Sequence, residues 1–269
     1  GLVTLGNAVT DTLTFTGGIT HTAGGTNLGG ALSTVNQPVS FAALTLTFSS
    51  GISTGAAPDG NKILISGNIT GANNSLSLTG TTITLGGVCT ALGNVTITNS
   101  AVFTLADASD ITLIENASFT QNGTGTESKN QLNGSINTSG TGSVSFASDL
   151  YLARSLNIGG GSGALDCKAD LFINLTPVTS TVAFTSNVQA RNIALFNGIV
   201  NLAGNCTSMY ALQDLILLNG NTASMYNDTV TGIIGVYSYH HPGRIEEPTH
   251  NAGNTASPSL TFPTAMPGG

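Results

Sequence analysis

The chain has 269 residues, of which only 7% are charged; its formal net charge is −7, it carries six Lys and Arg in all, and it lacks Trp. So few cations leave no basic stripe to neutralise phosphates, which counts against nucleic acid as a partner. No apolar run reaches the roughly 18 to 20 residues that a membrane-crossing helix needs, and Gly1 follows no initiating Met or signal peptide, so the sequence reads as a segment processed from a longer product.

Helix formers such as Glu, Lys, Arg and Gln are scarce while Thr, Val and Ile abound, so intrinsic preference points to β structure throughout. In chain order, residues 1–60 give Leu2-Val3-Thr4-Leu5, Leu13-Thr14-Phe15-Thr16, Val39-Ser40-Phe41 and Leu44-Thr45-Leu46-Thr47-Phe48, separated by Gly-rich turns. Between Asn61 and Leu113 the alternation is densest, as in Lys62-Ile63-Leu64-Ile65, Leu76-Ser77-Leu78, Thr82-Ile83-Thr84-Leu85, Val95-Thr96-Ile97 and Val102-Phe103-Thr104-Leu105. Each is a period-2 strand with one apolar and one wet face, stopped by Gly or Asn. A polar stretch from Gln121 to Asn130 reads as a loop leaving the stack, and from Ser143 to Leu218 the triplets return. After Asn221 the text gains Tyr, His and Pro, and five of the eight prolines fall there.

Strands this short, starting five to six residues apart, suit a polygonal coil in which each strand bonds to its equivalent one coil on. The expected architecture is all-β: a single parallel β-helix over residues 1–220 with about three strands per coil, and a non-repetitive C-terminal cap with a Pro-rich tail over 221–269. At about 20 residues per coil and about 4.8 Å of rise, residues 1–220 make some eleven coils. An antiparallel β-sandwich is the competing fold, kept open by Asn122-Gly123, Asn133-Gly134, Asn197-Gly198 and Asn219-Gly220, which suit two-residue hairpins.

The stretch from Ile52 to Leu78 and the phrase Leu92-Gly93-Asn94-Val95-Thr96-Ile97 resemble the degenerate repeats of large secreted bacterial proteins of the filamentous haemagglutinin and autotransporter-passenger type. The resemblance covers roughly residues 1–220 and is one of texture. It implies a right-handed β-helix exported to the bacterial outer surface, used for adhesion or as a surface fibre, and it carries over no site residue.

Function is therefore expected to be non-catalytic attachment to a host-surface glycan or protein, with self-association into a fibre or sheath as the alternative and a polysaccharide-active enzyme as the third reading. Contact residues are expected in two loops: Thr124, Glu127 and Lys129 in the first, and Tyr239, His240, His241, Arg244 and Glu246 in the second. The close acidic pairs, Asp107 with Asp110, Asp166 with Asp170 and Glu246 with Glu247, match no catalytic signature. His240, His241 and His250 with Glu246 and Glu247 offer zinc-compatible atoms without zinc spacing, and no calcium-binding nonapeptide occurs, so no cofactor or metal is assigned. Cys89, Cys167 and Cys206 lie in different coils and are expected as separate buried thiols. The Thr-x-Thr pairs beginning at Thr14, Thr45, Thr82 and Thr96 are unevenly spaced, and read as ordinary outward hydroxyls rather than an ice-binding ladder.

Overall fold

A short strand with alternating apolar side chains has one face to bury and two backbone edges to pair. This chain satisfies both needs by stacking. The computed structural model describes residues 1–55, 61–176, 179–184, 188–197, 199–202, 215–217, 222–225, 236–237, 245–246 and 259–261. Within them the backbone winds into a right-handed parallel β-helix of about eight turns, without a helix.

Three sheets form its sides. Leu76–Gly80, Val95–Asn99, Phe119–Gly123 and Val144–Phe146 pair in parallel along the first side. Lys62–Ile65, Thr82–Leu85, Val102–Leu105, Lys129–Leu132 and Asp149–Leu152 make the second. Ile69–Thr70, Cys89–Leu92, Ile111–Leu113, Ile136–Asn137 and Leu156–Gly159 make the third. The longest strands, Ile19–Thr34 and Val39–Ser53, continue across all three sides, with register shifts between His21 and Gly25 and between Leu28 and Gly30. Antiparallel pairing enters only late, between Thr222–Met225 and Ser259–Thr261 and between Val236–Tyr237 and Ile245–Glu246. The expected boundary at residue 220 falls among positions outside the described residues.

Parallel register places equivalent residues in inward columns. Phe41, Ile65, Leu85, Leu105, Leu132 and Leu152 line the second side, and Ile69, Cys89, Ile111, Ile136 and Ile158 the third, all buried. Inside the core, aromatic rings tilt against one another between coils, Phe103 on Phe119 at 5.8 Å and Phe119 on Phe146 at 5.4 Å between ring centroids.

Corners need a different solution, because a turning backbone points some N–H groups away from the coil below. Side-chain oxygens meet them. Ser49 Oγ accepts from Ser75 N, Ser75 Oγ from Asn94 N, Asn94 Oδ1 from Ser118 N and Ser118 Oγ from Ser143 N, at 2.9–3.1 Å. At other corners Asn68 Oδ1 accepts from Val88 N, Asp110 Oδ1 from Ser135 N and Ser135 Oγ from Asn157 N. This one-coil-up bond explains why a wet corner selects Ser, Asn and Asp. Corners also crowd: a Cβ added to Gly87 would run into the backbone of Gly67 one coil below.

Two expectations change. Coils are less uniform than 20 residues: Leu76 pairs with Val95 nineteen positions on, but Phe103 pairs with Asn130 twenty-seven on. The structure has about eight turns, against some eleven coils expected over residues 1–220. The stretch from Gln121 to Asn130 is also not all loop. Gln121 and Asn122 belong to Phe119–Gly123, Lys129 and Asn130 to Lys129–Leu132, and only 124–128 leaves the ladder.

Phe119 is fully buried between two aromatic neighbours, so Phe119→Ala should lower unfolding stability by about 3–5 kcal/mol. Chemical denaturation of the two proteins measures this. Cys89 and Cys167 are free and buried, and Cys206 lies outside the described residues. Burial pushes both thiols from an ordinary 9.0 up to about 12. A thiol pKa that is higher in the folded state supports the fold fully below the unfolded value and loses that support as pH rises towards the folded one. Stability should therefore fall between about pH 9 and pH 12, by up to about 1.4 kcal/mol per pH unit for each thiol. A Cys89→Ala, Cys167→Ala double variant should show a shallower alkaline loss than the parent in denaturation curves taken across that range.

Candidate functional site

The inward column of the first side runs Leu32, Ile52, Leu78, Ile97, then Gln121, then Phe146 and Cys167. On the second side the column Val39, Ile63, Ile83, Phe103 meets Asn130 before returning to Leu150 and Leu171. Both amides are completely buried, and they flank the loop 124–128. Burying an amide costs free energy unless its atoms are paired, so their partners matter.

Gln121 Nε2 donates to Asn99 Oδ1 at 2.8 Å, and Gln121 Oε1 accepts from Ala147 N at 3.0 Å and Ser148 N at 3.3 Å. Asn99, also fully buried, donates through Nδ2 to the Ala101 carbonyl at 3.1 Å. Its own carbonyl accepts from Thr124 N and from Ser128 Oγ, each at 3.1 Å. Ser148 Oγ and Ser128 Oγ lie 3.0 Å apart, and Asn130 Nδ2 donates to the carbonyls of Ser148 and Asp149 at 3.2 Å. Both ends of the loop are thus tied to a polar core spanning three coils. Ser128 N donates to the Gly125 carbonyl to close the loop's own turn. A Cβ added to Gly123 would run into Ser148 Oγ, so a larger residue there would have to turn that hydroxyl away.

Of the residues expected in this loop, Thr124 and Glu127 are exposed at its tip, whereas Lys129 already belongs to the second side, pointing outward between Val102 below and Asp149 above. In the other expected set, Glu246 lies in Ile245–Glu246, and Tyr239, His240, His241 and Arg244 lie outside the described residues. Among the described residues, therefore, the first set alone can be placed in full.

Beside the loop stands a feature that the sequence reading passed over. Asp149-Leu150-Tyr151 and Asp170-Leu171-Phe172 repeat an Asp-Leu-aromatic triplet on successive coils, with both leucines buried. Alternation turns the other residues outward, and the Tyr151 and Phe172 rings stack with centroids 4.7 Å apart and planes at 15°. Asp149 Oδ1 accepts from Asp170 N at 3.1 Å. Partial burial raises the Tyr151 phenol above its ordinary value, helped by the negative charges of Asp149 and Asp170. The repeated triplet was the available signal, visible only once the coil period is known.

The pair Asp166 and Asp170 separates, and Glu247 lies outside the described residues. Asp166 lies on the first side in register with Ser145, and Asp170 on the second, while exposed Asp107 lies 3.6 Å from Arg154. Thr-x-Thr pairs also disperse, with Thr14 and Thr96 on the first side, Thr82 on the second and Thr45 on the third. Among the described residues no three His, Cys, Asp or Glu side chains gather in metal-binding reach, and no helix is long and apolar enough to cross a membrane. No protein family, curated protein or solved structure matches the chain.

Replacing Gln121 by Leu keeps the volume but strands Asn99 Oδ1 and the Ser148 N–H. The variant should lose about 1–3 kcal/mol. Amide hydrogen exchange should quicken selectively at residues 124–128, because Asn99 and Ser148, which hold the loop, each lose a bond to Gln121.

Proposed function

We propose that this chain is a non-catalytic attachment module of the adhesin kind, exported and displayed at a bacterial surface, whose β-helix holds contact groups at fixed positions for a host-surface glycan or protein. The observation that carries this reading is the buried amide network under the loop 124–128. In a core of stacked aliphatic and aromatic columns, Gln121 and Asn130 contribute less hydrophobic stabilisation than the Leu, Ile or Phe found at equivalent positions. What they supply instead is a loop with both roots fixed, and a binding loop works best on a rigid support.

A self-associating fibre subunit is the second reading. It is favoured by the stacking itself, because each coil holds the next through parallel backbone pairing that a second copy of the chain can also supply. Sedimentation against concentration separates the two, because only the fibre subunit grows.

The attachment reading is tested by measuring adherence of the labelled chain to cultured epithelial cells. A Thr124→Ala, Glu127→Gln double variant should fold normally and bind about tenfold more weakly. Equal binding by parent and variant would remove the loop from the contact, and no binding by the parent would end the reading.

A further inference from the structure

The outward residues of the second side fall into two columns. One reads Lys62, Thr82, Val102, Lys129, Asp149, Asp170, and the other Leu64, Thr84, Thr104, Gln131, Tyr151, Phe172. In the lower three coils these columns hold one charge. Over the next three coils, from Lys129 to Phe172, every position is charged, amide-bearing or aromatic. Core packing does not require this, since each of these side chains points away from the core, and Tyr151 remains 37% exposed. An apolar ring pair kept in water, bordered by hydrogen-bonding groups and adjoining a rooted loop, has the composition of a recognition surface.

The mixture of groups selects the ligand class. Asp149 and Asp170 repel a polyanion, and Lys129 opposes a polycation. Lys129 and the Gln131 amide donate hydrogen bonds, the two carboxylates and the Gln131 carbonyl accept them, and the Tyr151–Phe172 stack offers an apolar surface to C–H groups. A neutral sugar presents these complements together, with hydroxyls that donate and accept around a ring whose faces are C–H. We propose that Tyr151, Phe172, Lys129, Gln131, Asp149 and Asp170 form a binding site for a neutral glycan, laid along the helix axis. The coil repeat of about 4.8 Å sets a contact for each successive coil, close to the length of one sugar ring. This assignment rests on the attachment reading and names its ligand.

The test uses the full chain with three neutral hexasaccharides, cellohexaose, maltohexaose and chitohexaose, followed by saturation-transfer NMR and calorimetric titration. At least one should bind, with contacts to aromatic protons. Tyr151→Ala should weaken it at least about fivefold, Asp149→Asn and Gln131→Ala should each weaken it measurably, and Thr98→Ala on the first side should leave it unchanged. Circular dichroism checks that each variant is folded. Should Tyr151→Ala fail to fold, Asp149→Asn and Gln131→Ala carry the same expectation, because neither changes a buried side chain. Hexasaccharide binding that survives these substitutions in folded protein overturns this site and leaves the attachment reading standing. Cell adherence by a chain that takes none of the three sugars overturns the glycan assignment alone. A chain that binds neither sugars nor cells overturns both.

Discussion

Everything in this molecule depends on the hydrogen bond from one coil to the next. A strand of four residues has no independent stability, and its N–H and C=O groups find partners only when equivalent strands lie directly above and below it. Along the three sides the backbone meets that demand by itself, as in the unbroken register from Leu76–Gly80 through Val95–Asn99 to Phe119–Gly123. At the corners it does not, and there side chains supply acceptors. The column Ser49, Ser75, Asn94, Ser118 therefore does at one corner what carbonyls do on the sides. The heavy use of Ser, Asn and Thr is thus in part a backbone requirement and not only a solubility device.

Because inter-coil pairing fixes register, each inward position is a column, and a change of residue type within a column is felt by the coils above and below. Some columns are uniformly apolar, such as Phe41, Ile65, Leu85, Leu105, Leu132 and Leu152. Gln121 and Asn130 interrupt two others at one height and meet Asn99, Ser128 and Ser148, so that the polar groups pair across three coils, with the Asn130 Oδ1 alone of these amide atoms left unpaired. Each bond lost from such a network leaves a further buried group without a partner. The network gives one loop two fixed roots, at a cost in apolar burial at Gln121 and Asn130.

Strand positions were legible in the sequence because alternation with period 2 survives any change in corner length. Ile63 and Ile65, or Ile83 and Leu85, declare their inward side without knowledge of the fold. Which strands share a side was not legible, since the spacing between partners varies from Leu76 to Val95 and from Phe103 to Asn130. Gln121 and Asn130 looked like loop residues for the same reason that they are unusual in a core: an amide normally faces water. Their burial follows from Phe119 and Leu132, whose alternation places them inward, but the sequence does not say that Asn99, 22 positions before Gln121, waits to receive an amide. The Tyr151–Phe172 stack was hidden likewise, being a contact between residues 21 positions apart.

The outer surface follows from the same geometry. A parallel stack converts any repeat in the sequence into a column on one side, so that chemistry accumulates where successive coils agree. On the first side the outward positions Ser77 and Thr79, Thr96 and Thr98, Thr120 and Asn122 agree on small neutral groups. On the second, above Lys129, they agree on rings, carboxylates and an amide. The upper second side has the groups to distinguish one partner from another, and the rooted loop enters it directly through Lys129, whose backbone N–H is held by the Ala101 carbonyl at 2.8 Å. Loop and platform are therefore two parts of one rigid surface. A ligand meeting both finds the positions of their backbones already fixed by the stack, which lowers the ordering cost of binding and leaves affinity to be set by a few outward side chains.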